Sequence, residues 1–189
     1  LTGSPVCGDN VTNMAWTYHT CFNITGNPVC GDKVTNMTST YPTCTKLTGS
    51  PVCGPNVTTM RSTYYGCSNI TGSPVCGDKV TDMSYTYSEC YNLTGSPICG
   101  PNVTNMRQTY YNTPNLYGDM YVYNDNVSDA RNCFYGRNVS KQLNIFVNFG
   151  TNSYNSFTTN NITGSSLDWT SAGNGSIYYY DDTANIAIF

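Results

Sequence analysis

Apolar residues return along this chain at intervals of 23 positions. Leu1, Ile24, Leu47, Ile70, Leu93 and Leu116 form one column, and Val11, Val34, Val57, Val80 and Val103 a second. Met14, Met37, Met60, Met83 and Met106 form a third, and Tyr18, Tyr41, Tyr64, Tyr87 and Tyr110 a fourth. Nothing is inserted or deleted across five copies. A fixed period in this range is the signature of a solenoid, in which one repeat makes one coil and neighbouring coils bury each other's apolar side. Within a coil, "LTGSPVC" reads as an extended run and "GDN", "GDK" or "GPN" as a turn. The alternation in "VTNM" predicts a short strand. Tyr and Cys three apart in "TYxxC" predict one helical or 3₁₀ turn.

After Leu116 the period fails. The pattern therefore divides the chain into five repeats over 1–115, a degenerate capping repeat over 116–136, and a small β subdomain over 137–189. In the last part "LNIFVNF", "SLDWTSAG", "SIYYYDD" and "NIAIF" read as short strands, with a polar Asn/Ser/Thr loop after the first. The expected fold is a β-rich solenoid: a stack of 23-residue coils, with short parallel strands and a C-terminal β cap.

The register "VTNMxxTYxxCxxLTGSPVCG" resembles the BspA-type (Treponema pallidum-type) leucine-rich repeat over residues 1 to about 136. The chain departs from that pattern in placing Cys after the extended run, where the family more often has Pro. Such repeats occur in bacterial surface proteins and gut bacteriophage proteins. The resemblance implies a binding or structural role at a cell surface, outside the cell or on a virion, and not an enzyme.

The ten cysteines fall into columns. Cys7, Cys30, Cys53, Cys76 and Cys99 form the first and Cys21, Cys44, Cys67 and Cys90 the second, with Cys133 near the second. An even count favours disulfides in an oxidising compartment, and Cys21 with Cys30 through to Cys90 with Cys99 is one pairing. Yet Thr113 replaces the second-column Cys while Cys99 stays, so the columns lose members independently. That behaviour suits a ladder of small core fillers. Zinc is not expected, for there is no C-x₂-C pair and His19 is the single histidine. A catalytic thiol lacks a companion base, and no cofactor motif appears.

Only 10% of residues are charged and the net charge is −3, which argues against a basic nucleic-acid surface. No apolar run reaches the length of a membrane span. The chain begins at Leu1, at the first position of a repeat, so an array continuing upstream is expected. Asn-x-Ser/Thr sequons such as Asn23, Asn56, Asn69 and Asn102 arise from the repeat itself and read as structural. The Thr columns read as coil-to-coil hydrogen bonding. Asp168, Asp181 and Asp182 read as turn residues.

Two pairs of positions vary between copies: the two after Met (Ala15–Trp16, Thr38–Ser39, Arg61–Ser62, Ser84–Tyr85, Arg107–Gln108) and the two after Tyr (His19–Thr20, Pro42–Thr43, Tyr65–Gly66, Ser88–Glu89, Tyr111–Asn112). They should face solvent. Trp16, Arg61, Tyr65, Tyr85, Arg107 and Tyr111 are the candidate ligand contacts, because aromatic and Arg side chains dominate interfaces. The expected function is a non-enzymatic adhesin, fibre or decoration element binding a host surface glycan or protein. The alternative is a structural spacer or virion-assembly component that contacts other surface proteins or copies of itself. A polysaccharide-acting enzyme ranks third, since it would need a carboxylate pair and the array has few acids.

Overall fold

The computed structural model describes residues 1–138, 140–148, 152–158, 175–181 and 186–188. The apolar columns of the sequence are buried from the second coil onward, whereas Leu1 is exposed and Val11 half-buried. Val34, Val57, Val80 and Val103, the Met column from Met37 to Met106, and the Tyr column from Tyr41 to Tyr110 are fully excluded from water. They belong to one hydrophobic cluster that runs from Met14 to Phe157.

Successive coils are joined by parallel backbone hydrogen bonds in several ladders. Thr35 N donates to Thr12 O, and the same bond recurs from Thr58 to Thr35, Thr81 to Thr58 and Thr104 to Thr81. In the opposite sense Met14 N donates to Asn36 O, Met37 N to Thr59 O and Met60 N to Asp82 O. The predicted "VTNM" strand shrinks to single parallel bridges, Asn13 to Asn36, Asn36 to Thr59, Thr59 to Asp82 and Asp82 to Asn105. The reason is local: the next residues turn at once.

The predicted helical or 3₁₀ turn is replaced by two consecutive β-turns. Thr63 N donates to Met60 O and Cys67 N to Tyr64 O, closing the two turns of the third coil. The third residue of each turn is left-handed, as in Ser62 (φ 54°) and Gly66 (φ 69°), the conformation a type II turn requires. A helix would keep its amides within the coil. Here alternate amides leave it: Ser62 N, Tyr64 N and Gly66 N donate to Ser84 O, Thr86 O and Ser88 O of the next coil. Ahead of the first turn, Asn13, Asn36, Asp82, Asn105 and Asp129 each accept the amide two residues on, and Thr59 does so with its hydroxyl. This explains why that column holds only short acceptors.

The tyrosines stack as a ladder through the core, with ring centroids 5.2 Å apart at Tyr18–Tyr41 and 5.7 Å at Tyr64–Tyr87, ending on Phe134. Each hydroxyl clips the extended run of its own coil. Tyr64 Oη accepts from Val52 N at 2.9 Å and donates to Val52 O at 2.8 Å, and Tyr18, Tyr41, Tyr87 and Tyr110 repeat the pair of bonds. In the sixth coil the equivalent run is β1 (Gly118–Val122), which pairs with β2 (Leu143–Asn148) in parallel. Its backbone has a sheet partner, so Phe134 needs no hydroxyl.

Parallel pairing continues across residues 136 and 137. β3 (Gly175–Asp181) pairs with β2 in parallel, and β4 (Ile186–Ile188) closes the sheet antiparallel. Thr2–Gly3 and Asn23–Ile24 form a separate parallel pair at the other end. The polar segment after β2 contains a short helix, α1 (Asn152–Thr158), where a loop was expected. Its Ser153 hydroxyl accepts from Val127 N and donates to Asn124 O, Ser156 donates to Val127 O, and Phe157 is buried. The serines thus cap the sixth coil while Phe157 extends its core. The expected "SLDWTSAG" strand, Asp168 and Asp182 lie outside the described residues, and Asp181 ends β3.

Candidate functional site

All ten cysteines are free thiols. The second column is a hydrogen-bonding ladder: Cys44, Cys67 and Cys90 donate to Tyr18 O, Tyr41 O and Tyr64 O at 3.1, 2.9 and 3.1 Å. Thr113 does the same, donating to Tyr87 O at 2.7 Å, so the position selects a short donor rather than a sulfur partner. The first column packs on glycine. A side chain at Gly54 would meet Cys30 Sγ at 2.9 Å and Gly31 O at 3.0 Å. Cys133 does not belong to the second column. Tyr110 N donates to Cys133 O as Tyr87 N does to Thr109 O, which places Cys133 in the buried Thr column. One extra residue in the sixth coil causes the shift, and Arg137, whose amide donates to Phe134 O, takes the second-column place.

Burial pushes Cys53 up to about 11 and Cys44, Cys76 and Cys99 up to about 12, and raises Cys67, Cys90 and Cys133 as well. Protonated thiols are poor nucleophiles and poor metal ligands. Among the described residues no group of three or more His, Cys, Asp or Glu side chains is placed to hold a metal ion. No helix among them is long and apolar enough to cross a membrane.

The buried Thr column also works through hydrogen bonds. Thr63 Oγ1 lies 2.8 Å from Met37 O and 2.7 Å from Met60 O, sharing its proton between two coils. The sequon asparagines are on the surface and bond from coil to coil: Asn56 to Asp32 O, Asn69 to Thr45 O and Asn102 to Asp78 O.

The tandem turns set the variable positions on one side of the stack, where an open groove of about 410 Å³ crosses four coils. Arg61, Tyr65 and Tyr85 line it together. His19, Ser39, Pro42 and Ser62 complete the lining, and all seven residues come from the positions that differ between copies. The expectation that these positions face solvent fails at Ser39, Pro42, Ser84 and Ser88, which are buried because small side chains there sink between adjacent turns.

Arg61 is exposed, and among the described residues its side chain has no hydrogen-bond or ion-pair partner. Tyr65 is half-buried, its hydroxyl 3.4 Å from Glu89 Oε1. Burial, with Glu89 adding to it, raises the Tyr65 phenol above its usual range. Tyr85 carries Arg107 over its ring at 5.9 Å, a cation–π contact. Trp16, Arg107 and Tyr111 occupy the same columns but do not line the groove. Trp16 is 59% exposed, with its ring 5.0 Å from that of His19, and Tyr111 stacks on Tyr135. The sequence listed the columns but not which members meet, because that depends on which turn follows which.

A second exposed aromatic group went unnoticed in the sequence. Tyr121 stacks between Tyr123 at 5.7 Å and Phe146 at 4.7 Å on the outer face of β1 and β2. The alternation of Tyr121 and Tyr123 was its available signal.

No family model, curated protein or solved structure matches this chain.

Proposed function

We propose that the chain is a non-enzymatic repeat protein of an extracellular, cell or virion surface, built as a leucine-rich-repeat-like solenoid, and that it binds a host glycan or protein. One observation carries this reading: Arg61, Tyr65 and Tyr85, chosen as variable aromatic and Arg positions, line a single groove. Tyrosine faces present apolar area with a polar tip, and Ser62 adds a short hydroxyl beside them. This combination suits a sugar, whose ring has an apolar face and hydroxyl edges. Glycosidic hydrolysis by paired carboxylates would need two acids, and among the described residues no acid lines the groove.

A glycan array with the intact chain tests the reading. Binding to a restricted set of glycans is expected, with at least a tenfold loss in the Tyr65→Ala/Tyr85→Ala double variant. Absence of specific binding, or binding that survives the double variant, would leave the spacer role in its place.

A further inference from the structure

We infer that the groove is specific for anionic glycans, those carrying a carboxylate or sulfate on the sugar. The inference rests on the glycan-binding reading above. The chain as a whole is acidic, with a net charge of −3. The groove has the opposite character: Arg61 lines it, Arg107 stands over the ring of Tyr85, one of its lining residues, and among the described residues no carboxylate lines it. Glu89, the acid held at the Tyr65 hydroxyl, sits beside the groove.

The one salt bridge among the described residues is Arg131 with Asp129 at 2.7 Å. Arg131 shares the column of Arg61 and Arg107 but is already neutralised, whereas among the described residues Arg61 has no acidic partner, and Arg107 is near enough to Asp129 to lower that carboxyl's pKa but forms no ion pair with it. A guanidinium presents paired donors that match a carboxylate or sulfate in plane. Tyr65 and Tyr85 lie beside them and offer ring faces for the sugar itself. Arg61 and Arg107 belong to coils two apart, with Arg107 over the Tyr85 ring of the coil between, so the pair offers two cationic groups along the stack. Two such groups favour a polymer with repeated anionic groups over a single terminal acid.

Calorimetric titration tests this with four probes: an oligosaccharide of alternating hexuronate and neutral sugars, its carboxyl-reduced neutral counterpart, dextran sulfate and unmodified dextran. The expected result is at least tenfold tighter binding of an anionic probe than of its neutral counterpart. Arg61→Gln and Arg107→Gln should each remove most of that preference, and raised salt should weaken it. The uronate and sulfate arms distinguish the two sources of negative charge. Equal binding of anionic and neutral probes, abolished by Tyr65→Ala/Tyr85→Ala, would overturn the anionic class and leave the glycan reading standing. Anionic preference unchanged in both Arg variants would also overturn it. No binding of any probe would overturn the anionic class, while the glycan array decides the broader reading separately. Circular dichroism of each variant serves as the folding control, since both arginines are exposed.

Discussion

At the scale of single residues, the repeat is built from side chains that hydrogen-bond the backbone inside an apolar column. Tyr64 is the clearest case, with a stacked ring and a hydroxyl that satisfies both backbone groups of Val52. Tyr64→Phe keeps the stack and strands those two groups, so a loss of about 1–3 kcal/mol is expected in urea unfolding. Phe134→Tyr should bring no comparable gain. The second cysteine column makes a parallel case. Cys67→Thr should stay near the parent stability, because Thr113 already fills that role. Cys67→Val, which matches Thr in shape but has no donor, should be about 1 kcal/mol less stable than Cys67→Thr. The thiols also make stability depend on pH. Cys53, Cys44 and Cys76 are raised by burial from 9.0 to about 11, 12 and 12, so the native state keeps protons that the unfolded chain has released. Their contribution is complete below pH about 9 and is lost as pH rises toward about 12. The urea midpoint should therefore fall between pH 8 and pH 10, and a flat profile would contradict the burial of these thiols.

At the scale of the element, the unit is a coil with two left-handed turn residues. Cβ-bearing residues in that region cost about 1–2 kcal/mol. Thr43 (φ 60°) and Gly66 (φ 69°) occupy the same turn position in adjacent coils. Thr43→Gly should therefore be neutral or stabilising, and Gly66→Thr should lower stability by about 1 kcal/mol or more. The glycine after each first-column cysteine answers to packing instead. Gly54→Ala drives a methyl against Cys30 Sγ and the Gly31 carbonyl, and a loss of about 2 kcal/mol is expected in the same assay. The sequence showed these glycines as a column. Only the structure shows that the cysteine of the preceding coil is what excludes a side chain there.

At the scale of the whole molecule, each coil bonds to its neighbours, so stability should be nearly additive along the stack. Removing residues 47–69, one full period, rejoins columns of the same kind. A folded, less stable protein is expected by circular dichroism, and the deletion takes Arg61 and Tyr65 with it. Removing one residue more or fewer mismatches the two coils that meet at the junction and should cost more stability than the full-period deletion, most where the mismatch falls within the tandem turns. The C-terminal end behaves differently, because α1 caps the sixth coil through Ser153, Ser156 and Phe157 while β2 pairs with its extended run. Ser153→Ala leaves Val127 N without its acceptor, and a loss of about 1–3 kcal/mol is expected.

The sequence by itself determined the interval of the coil and the identity of its inward residues, since burial of Val, Met and Tyr columns follows from their recurrence. It also marked the positions free to vary. The tertiary structure decided what those residues do. Alternate amides in "TYxxC" bond to the next coil rather than within a helix, and that choice exists only when a next coil is present. The same stacking sets Cys133 among the threonines and brings Arg61, Tyr65 and Tyr85 from two coils into one groove. Each outcome depends on which turn lies beside which, a relation that no single repeat contains.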